Sequence, residues 1–128
     1  MELLLDTHAF IWFINGDKSL PEKIRKSIAN VDNSCFISIA SLWEIAIKLR
    51  LGSLKLKSGF SKIEEFLIEN EIQILPVSFD HLQQLLQLDY HHRDPFDRII
   101  IAQSISEHLT VLTKDKNFKN YPVKIMWR

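Results

Sequence analysis

Leu3-Leu4-Leu5-Asp6-Thr7 is the stretch from which the fold is read. Three leucines in a row, with no polar alternation, describe a short strand buried on both faces, and such strands belong to parallel sheets covered by helices. Outward from it, Thr7 to Ile14 is apolar-rich and stops at Asn15-Gly16, a good helix exit. Ser19-Leu20-Pro21-Glu22 has the spacing of a capping box, with Ser19 as cap, and predicts a helix to about Asn30. Cys35 to Ile39 reads as a second buried strand, and residues 40–51 as a helix closed by Gly52. Residues 60–71 read as helix, 72–77 as strand and 80–88 as helix. Asp94-Pro95 opens a helix to about His108, followed by strands at 110–113 and 123–126. This alternation predicts an α/β fold, one domain over residues 1–128, with a parallel sheet between two helical layers.

The composition narrows the function. Apolar residues make up 46 % of 128 residues and charged residues 25 %, which suits a packed core and argues against disorder. The formal net charge is +0, so the chain is not globally basic, and any polyanion must be met by a local patch or by bound metal. The single cysteine, Cys35, lies in an apolar run; it reads as a packed core thiol and offers neither a disulfide nor a thiolate zinc site. The N-terminus has no basic n-region or cleavage site of a signal peptide, and no apolar run nears the ~20 residues of a membrane span. A reducing cytoplasm and no membrane partner are therefore expected.

In open α/β sheets, ligands bind at the carboxyl ends of strands near a switch in strand order. Asp6 directly follows the first strand, and Asp115 lies just past the fourth, after Thr113-Lys114. Glu44 is on the helix leaving the second strand, and Asp94 and Asp97 open the helix leading into the fourth. If the first and fourth strands are neighbours, their ends are ~5 Å apart and these carboxylates share one volume. Crowded carboxylates repel and raise one another's pKa; a divalent cation relieves this. Oxygen ligands select magnesium or manganese over zinc, and such an ion serves phosphodiester hydrolysis.

Simpler roles compete at each position. Asp6 can cap the following helix, Glu44 can pair with Lys48 four residues on, and Asp94-Pro95-Phe96-Asp97 is a well-formed helix start. Asp115-Lys116-Asn117 can be a turn.

Four segments, in order, carry a resemblance: Leu4-Leu5-Asp6-Thr7-His8, Ser38-Ile39-Ala40-Ser41-Leu42-Trp43-Glu44-Ile45, His92-Arg93-Asp94-Pro95-Phe96-Asp97-Arg98 and Leu112-Thr113-Lys114-Asp115. Together they resemble a PIN-domain nuclease, and closely the VapC-type toxins of type II toxin–antitoxin pairs, over nearly the whole chain. The resemblance implies a PIN-like three-layer α/β/α sandwich with a central parallel β-sheet and a metal site made by a quartet of acids. By position, Asp6, Glu44 and Asp97 match the three steadiest acids and Asp115 the more variable fourth. Asp94 ranks below Asp97 as a direct ligand, and Thr7 and Thr113 support the site through their hydroxyls. It further implies a Mg²⁺-dependent (or Mn²⁺-dependent) endoribonuclease acting on RNA, commonly a homodimer, with a cognate antitoxin seated over the active-site groove.

Arg98 is the basic residue expected to meet substrate phosphate or to brace Asp94 or Asp97. His8 is expected as a packed histidine near the site edge, and His91-His92 as loop residues, since neighbours in sequence chelate one ion poorly. Of Phe10, Trp12 and Phe13, core packing accounts for two, leaving Trp12 for a partner-binding groove. Lys48, Arg50, Lys55, Lys57 and Lys62 form one basic stretch, and Lys114, Lys116, Lys119, Lys124 and Arg128 another; either can rim a neutral protein with positive charge. Two further readings compete: a phosphotransfer domain, which lacks its usual second acid because His8 stands there, and a catalytically inactive PIN-like module that only binds RNA or protein.

Overall fold

The computed structural model describes residues 1–128. Five strands, β1 (Glu2–Leu5), β2 (Ser34–Ser38), β3 (Ile72–Leu75), β4 (Thr110–Leu112) and β5 (Lys124–Met126), form one sheet in the order β3-β2-β1-β4-β5. Every pairing is parallel. The chain runs β1, β2, β3 toward one edge, then returns to add β4 and β5 on the other side of β1. The switch in strand order therefore lies between β1 and β4, with Leu5 opposite Leu112 in the register.

Strand alternation divides the core into two layers. Leu3, Leu5, Cys35, Ile37 and Leu112 face helices α1 (Thr7–Asn15), α2 (Glu22–Ala29), α3 (Ile39–Arg50) and α4 (Ile63–Glu69), meeting Phe10, Ile24, Ile45 and Leu67. Leu4 and Val111 point the other way, onto Ile100 and Ile101 of α6 (Pro95–Glu107), which also packs against α5 (Phe79–Leu86). This is a three-layer α/β/α sandwich. Burial in the first layer pushes the Cys35 thiol up to about 11, an inert core thiol. No helix is long and apolar enough to cross a membrane.

Where boundaries differ from those read in the sequence, backbone chemistry explains the difference. Ser19 does not cap α2: Pro21 occupies the cap position, and the Ser19 N–H donates to Asp17 Oδ1 at 2.8 Å. Leu20 precedes a proline, which disfavours helical backbone there, so the helix begins only after the ring. β3 ends at Leu75 because Pro76 has no N–H to give the ladder. The segment read as one helix from residue 60 starts as a 3₁₀ turn, Phe60–Lys62, before α4. α5 starts at Phe79 because Ser78 forms a capping box with His81: Ser78 Oγ accepts the His81 N–H at 3.3 Å, and the Ser78 N–H donates to His81 Nδ1 at 3.0 Å. A histidine replaces the usual glutamate or glutamine of that motif, so the sequence pattern hides it.

Candidate active site

Asp6 ends β1 and caps α1. Its backbone N–H donates to Leu112 O at 3.1 Å, tying the ends of β1 and β4 together, and Oδ1 accepts the Ala9 N–H at 2.8 Å. The side chain is buried, 6 % exposed. Burial raises its pKa, with hydrogen bonds from Thr113 and Ala9 pulling the other way. The Thr113 hydroxyl oxygen also accepts the Asp115 N–H at 3.0 Å, so one threonine orients both acids. Asp115 in turn caps a 3₁₀ turn, Lys116–Asn120, by accepting the Asn117 N–H on Oδ1 at 2.9 Å, while Oδ2 faces the site.

Asp97 enters from the first turn of α6. The helix start is built as its sequence suggests: Asp94 accepts the N–H groups of Phe96 and Asp97 at 2.8 and 3.4 Å, and Pro95 takes the first position. Capping thus fixes Asp97 at the mouth of the β1/β4 switch. The Asp97 pKa is raised to about 7, first by burial, then by the negative charge of Asp94, with Asp6 and Glu44 adding and His92 opposing. Asp6, Asp97 and Asp115 line one cavity of about 340 Å³, together with His8, Trp12 and Lys114.

Glu44 is placed differently. It is 4 % exposed and does not line that cavity. Its Oε1 accepts from the Thr7 hydroxyl at 2.7 Å, and its Oε2 pairs with Lys48 Nζ at 2.8 Å. That bond holds the Lys48 ammonium above its ordinary pKa. Thr7 Oγ1 also lies 3.0 Å from Ser41 Oγ; since Thr7 has one proton and the carboxylate takes it, Ser41 is the donor in that pair. Glu44 therefore sits behind Asp6, joined through Thr7, the residue next to it in the chain. The surface ion pair weighed for Glu44 and Lys48 exists, but on a buried carboxylate.

Two expectations are corrected. His92 lies in a loop as expected, yet it reaches the acids: its Nε2 lies 2.8 Å from Asp115 Oδ2 and 3.2 Å from Asp97 Oδ2, and ligand atoms of these three residues lie within 4.8 Å of one another. The objection to adjacent histidines falls because only one turns inward; His91 packs edge-on against Tyr121, with ring centroids 5.2 Å apart. Arg98 braces neither Asp94 nor Asp97. Its guanidinium donates to Asp89 O at 3.1 Å and lies over the Tyr90 ring, 5.1 Å from the centroid. It follows Asp97 on a helix, and a step of about 100° per residue carries it off the site face. Tyr121, unremarked in the sequence, is a positioning residue: its buried hydroxyl accepts the N–H groups of His91 and His92 at 2.9 and 2.8 Å, holding the loop that delivers His92. Only the fold brings it there, because nothing in its local sequence marks it.

The donor set tests well against a hard divalent cation. Several carboxylates converge, two of them with raised pKa, and the nearest lysines, Lys48 and Lys114, do not bridge them. A second, apolar groove of about 540 Å³ lies beside the site between α3, α5 and α6, lined by Ile39, Trp43, Val77, Leu82, Phe96 and Ile99 among others. No titratable side chain lines it, so it is not where the chemistry sits.

The family model of the PIN domain matches residues 3–124. No match was found among curated proteins. Among solved structures, the fold is similar to a chain of VapBC2 from Rickettsia felis, bound to a promoter DNA fragment, at a TM-score of 0.76 and 22 % identity over 100 % of both chains. It is similar to a chain of DNA-bound VapBC from Salmonella typhimurium at a TM-score of 0.74 and 21 % identity, over 98 % of this chain and 97 % of that one. It is also similar to VapC20 of Mycobacterium tuberculosis, a sarcin-ricin loop cleaving toxin, at 0.67 and 12 %, over 98 % and 99 %.

Proposed function

Because the chain belongs to the PIN domain family, we propose that it is a Mg²⁺- or Mn²⁺-dependent endoribonuclease and the toxin of a type II toxin–antitoxin pair. The observation that carries this reading is the convergence of Asp6, Asp97 and Asp115 on one cavity at the β1/β4 switch, with His92 across it. Asp6, Asp97 and Asp115 are the residues that would hold the ion. When bound, a divalent cation supplies the positive charge that steadies a phosphodiester as negative charge builds on it. The remaining roles belong to the chain. Thr113 orients Asp6 and Asp115, Thr7 and Lys48 fix and neutralise Glu44, and Asp94 sets the helix end that presents Asp97. His92 Nε2 holds the facing oxygens of Asp97 and Asp115 in place. Glu44 serves the site through Thr7 and its charge, from behind the ligands.

The partners proposed are RNA, a cognate antitoxin and a second copy of the chain, in a cytoplasmic setting. Similarity to chains from VapBC complexes supports the antitoxin. The apolar groove beside the site, with Trp43 64 % exposed on its rim, supports the second copy. The test is cleavage of a single-stranded RNA by the purified chain, with chelator and with Mg²⁺ restored. Cleavage lost and regained in that order is expected. Cleavage that persists in chelator, or no cleavage by a folded protein under any condition, defeats the proposal.

A further inference from the structure

The acid cavity has two unlike flanks. On the α3/α6 side lies the apolar groove, with no charged residue in its lining. On the β5 side lies a cleft of about 780 Å³ in which every titratable side chain is basic: Lys23, Lys114, Lys116, Lys119 and Arg128. In a chain of formal net charge +0, five cations without one acid are a local concentration of charge. Lys114, Lys116 and Lys119 are exposed and take part in none of the protein's ion pairs.

Lys114 lines both the cleft and the acid cavity, so the two adjoin at that residue. An aromatic row follows the same path. His8 and Trp12 have ring centroids 6.0 Å apart, Trp12 and Trp127 5.8 Å, and Lys114 Nζ lies 5.9 Å from the Trp12 ring centroid. Trp12 lines the acid cavity and Trp127 the basic cleft. Both indoles are half-buried, leaving part of each ring open. A cationic groove with interleaved aromatic faces is the chemistry of single-stranded nucleic acid, whose phosphates seek charge and whose bases stack in any sequence.

We propose that the cleft beyond β5 is the track along which a single-stranded RNA backbone reaches the acids, with Lys116 and Lys119 on its phosphates and Trp12 and Trp127 on its bases. The proposal rests on the nuclease reading and adds a direction to it: the strand runs over β4 and β5 and avoids the α3/α6 flank, where phosphates would lose hydration with no charge to replace it.

The test is the affinity of a fluorescein-labelled 12-nucleotide oligoadenylate for the full chain, read by anisotropy in EDTA between about 50 and 200 mM salt. Cleavage of the same RNA in Mg²⁺ is read alongside. Each phosphate contact on a single strand contributes about 0.7 to the slope of log affinity against log salt. Lys116→Gln with Lys119→Gln is therefore expected to flatten the slope by about 1.4. Trp127→Ala is expected to weaken binding about 10-fold with the slope unchanged, because stacking releases no counterions. Trp127 also packs against the core, so Trp127→Phe, keeping a stacking face, is expected to recover most of the affinity. Wild-type slopes and affinities in the glutamine variant, with RNA still cleaved, overturn the track and leave the nuclease reading standing. The expected slopes without cleavage uphold the track and defeat the nuclease reading. Oligoadenylate that does not bind, or that poly-glutamate displaces as readily from Trp127→Ala as from wild type, shows a surface for an acidic polypeptide and overturns the proposal.

Discussion

Glu44 and Asp97 stand on packed helices, α3 and α6, close enough for the charge of one to shift the pKa of the other, yet their carboxylates are treated in opposite ways. Glu44 has each oxygen engaged, one by the Thr7 hydroxyl and one by Lys48. Asp97 faces Asp94 and the open cavity, with the His92 imidazole as its one close basic neighbour, and is pushed up to about 7. On the proposed reading, the difference separates anchor from ligand. A saturated buried carboxylate needs nothing more and fixes the geometry around it; an undercompensated one calls for positive charge from outside.

The largest effect expected from this contrast is on activity. Asp97→Asn should lower RNA cleavage by at least about 100-fold while the chelated protein melts no lower than wild type, since the substitution removes repulsion along with the ligand. Cleavage rates and melting curves on one preparation check both halves. Glu44 should behave in the reverse manner. Lys48→Met leaves the buried Glu44 charge without its cation and should cost about 1–3 kcal/mol of stability, measured by urea denaturation, half-exposure of the lysine holding the cost below that of a fully buried pair.

The pH dependence sharpens the same division. Asp97 has a folded pKa raised to about 7, against an ordinary value of 3.8, so between those values the folded chain holds a proton that the unfolded chain does not. Its contribution to stability is thus most favourable at low pH and is lost as pH rises through about 7. In chelator, the wild-type melting temperature should fall from pH 5.5 to pH 8 by more than that of Asp97→Asn; parallel profiles would place the strain elsewhere. The smallest effect expected is at Thr7. Thr7→Val removes the bond to Glu44 at similar volume, and should cost about 1–2 kcal/mol in the same denaturation assay and about 10-fold in cation affinity.

The fold was legible where apolar content and backbone rules agree. Leu3-Leu4-Leu5, Cys35-Phe36-Ile37 and Thr110-Val111-Leu112 carry the parallel sheet, and Asn15-Gly16 and Asp94-Pro95 mark helix ends that the structure keeps. Ser19 misleads because its capping pattern runs across Pro21, and the cap of α5 is hidden because histidine stands in for an acid. At the site, acids next to strand and helix ends could be placed from sequence, since the element itself aims them. His92 could not. It sits in a loop whose path is set by the hydroxyl of Tyr121, 29 residues away, and no local pattern reports that contact. The ion pair expected of Arg98 fails for the opposite reason: adjacency to Asp97 in the chain is not adjacency across a helix.

Binding of Mn²⁺ followed by its paramagnetic resonance signal, in wild type, Asp97→Asn and Lys48→Met, tests the division between ligand and anchor most directly. Wild type and Lys48→Met should take up the ion, with Asp97→Asn at least about 10-fold weaker. Equal uptake by wild type and Asp97→Asn, or uptake lost in Lys48→Met while its fold is intact, would contradict it.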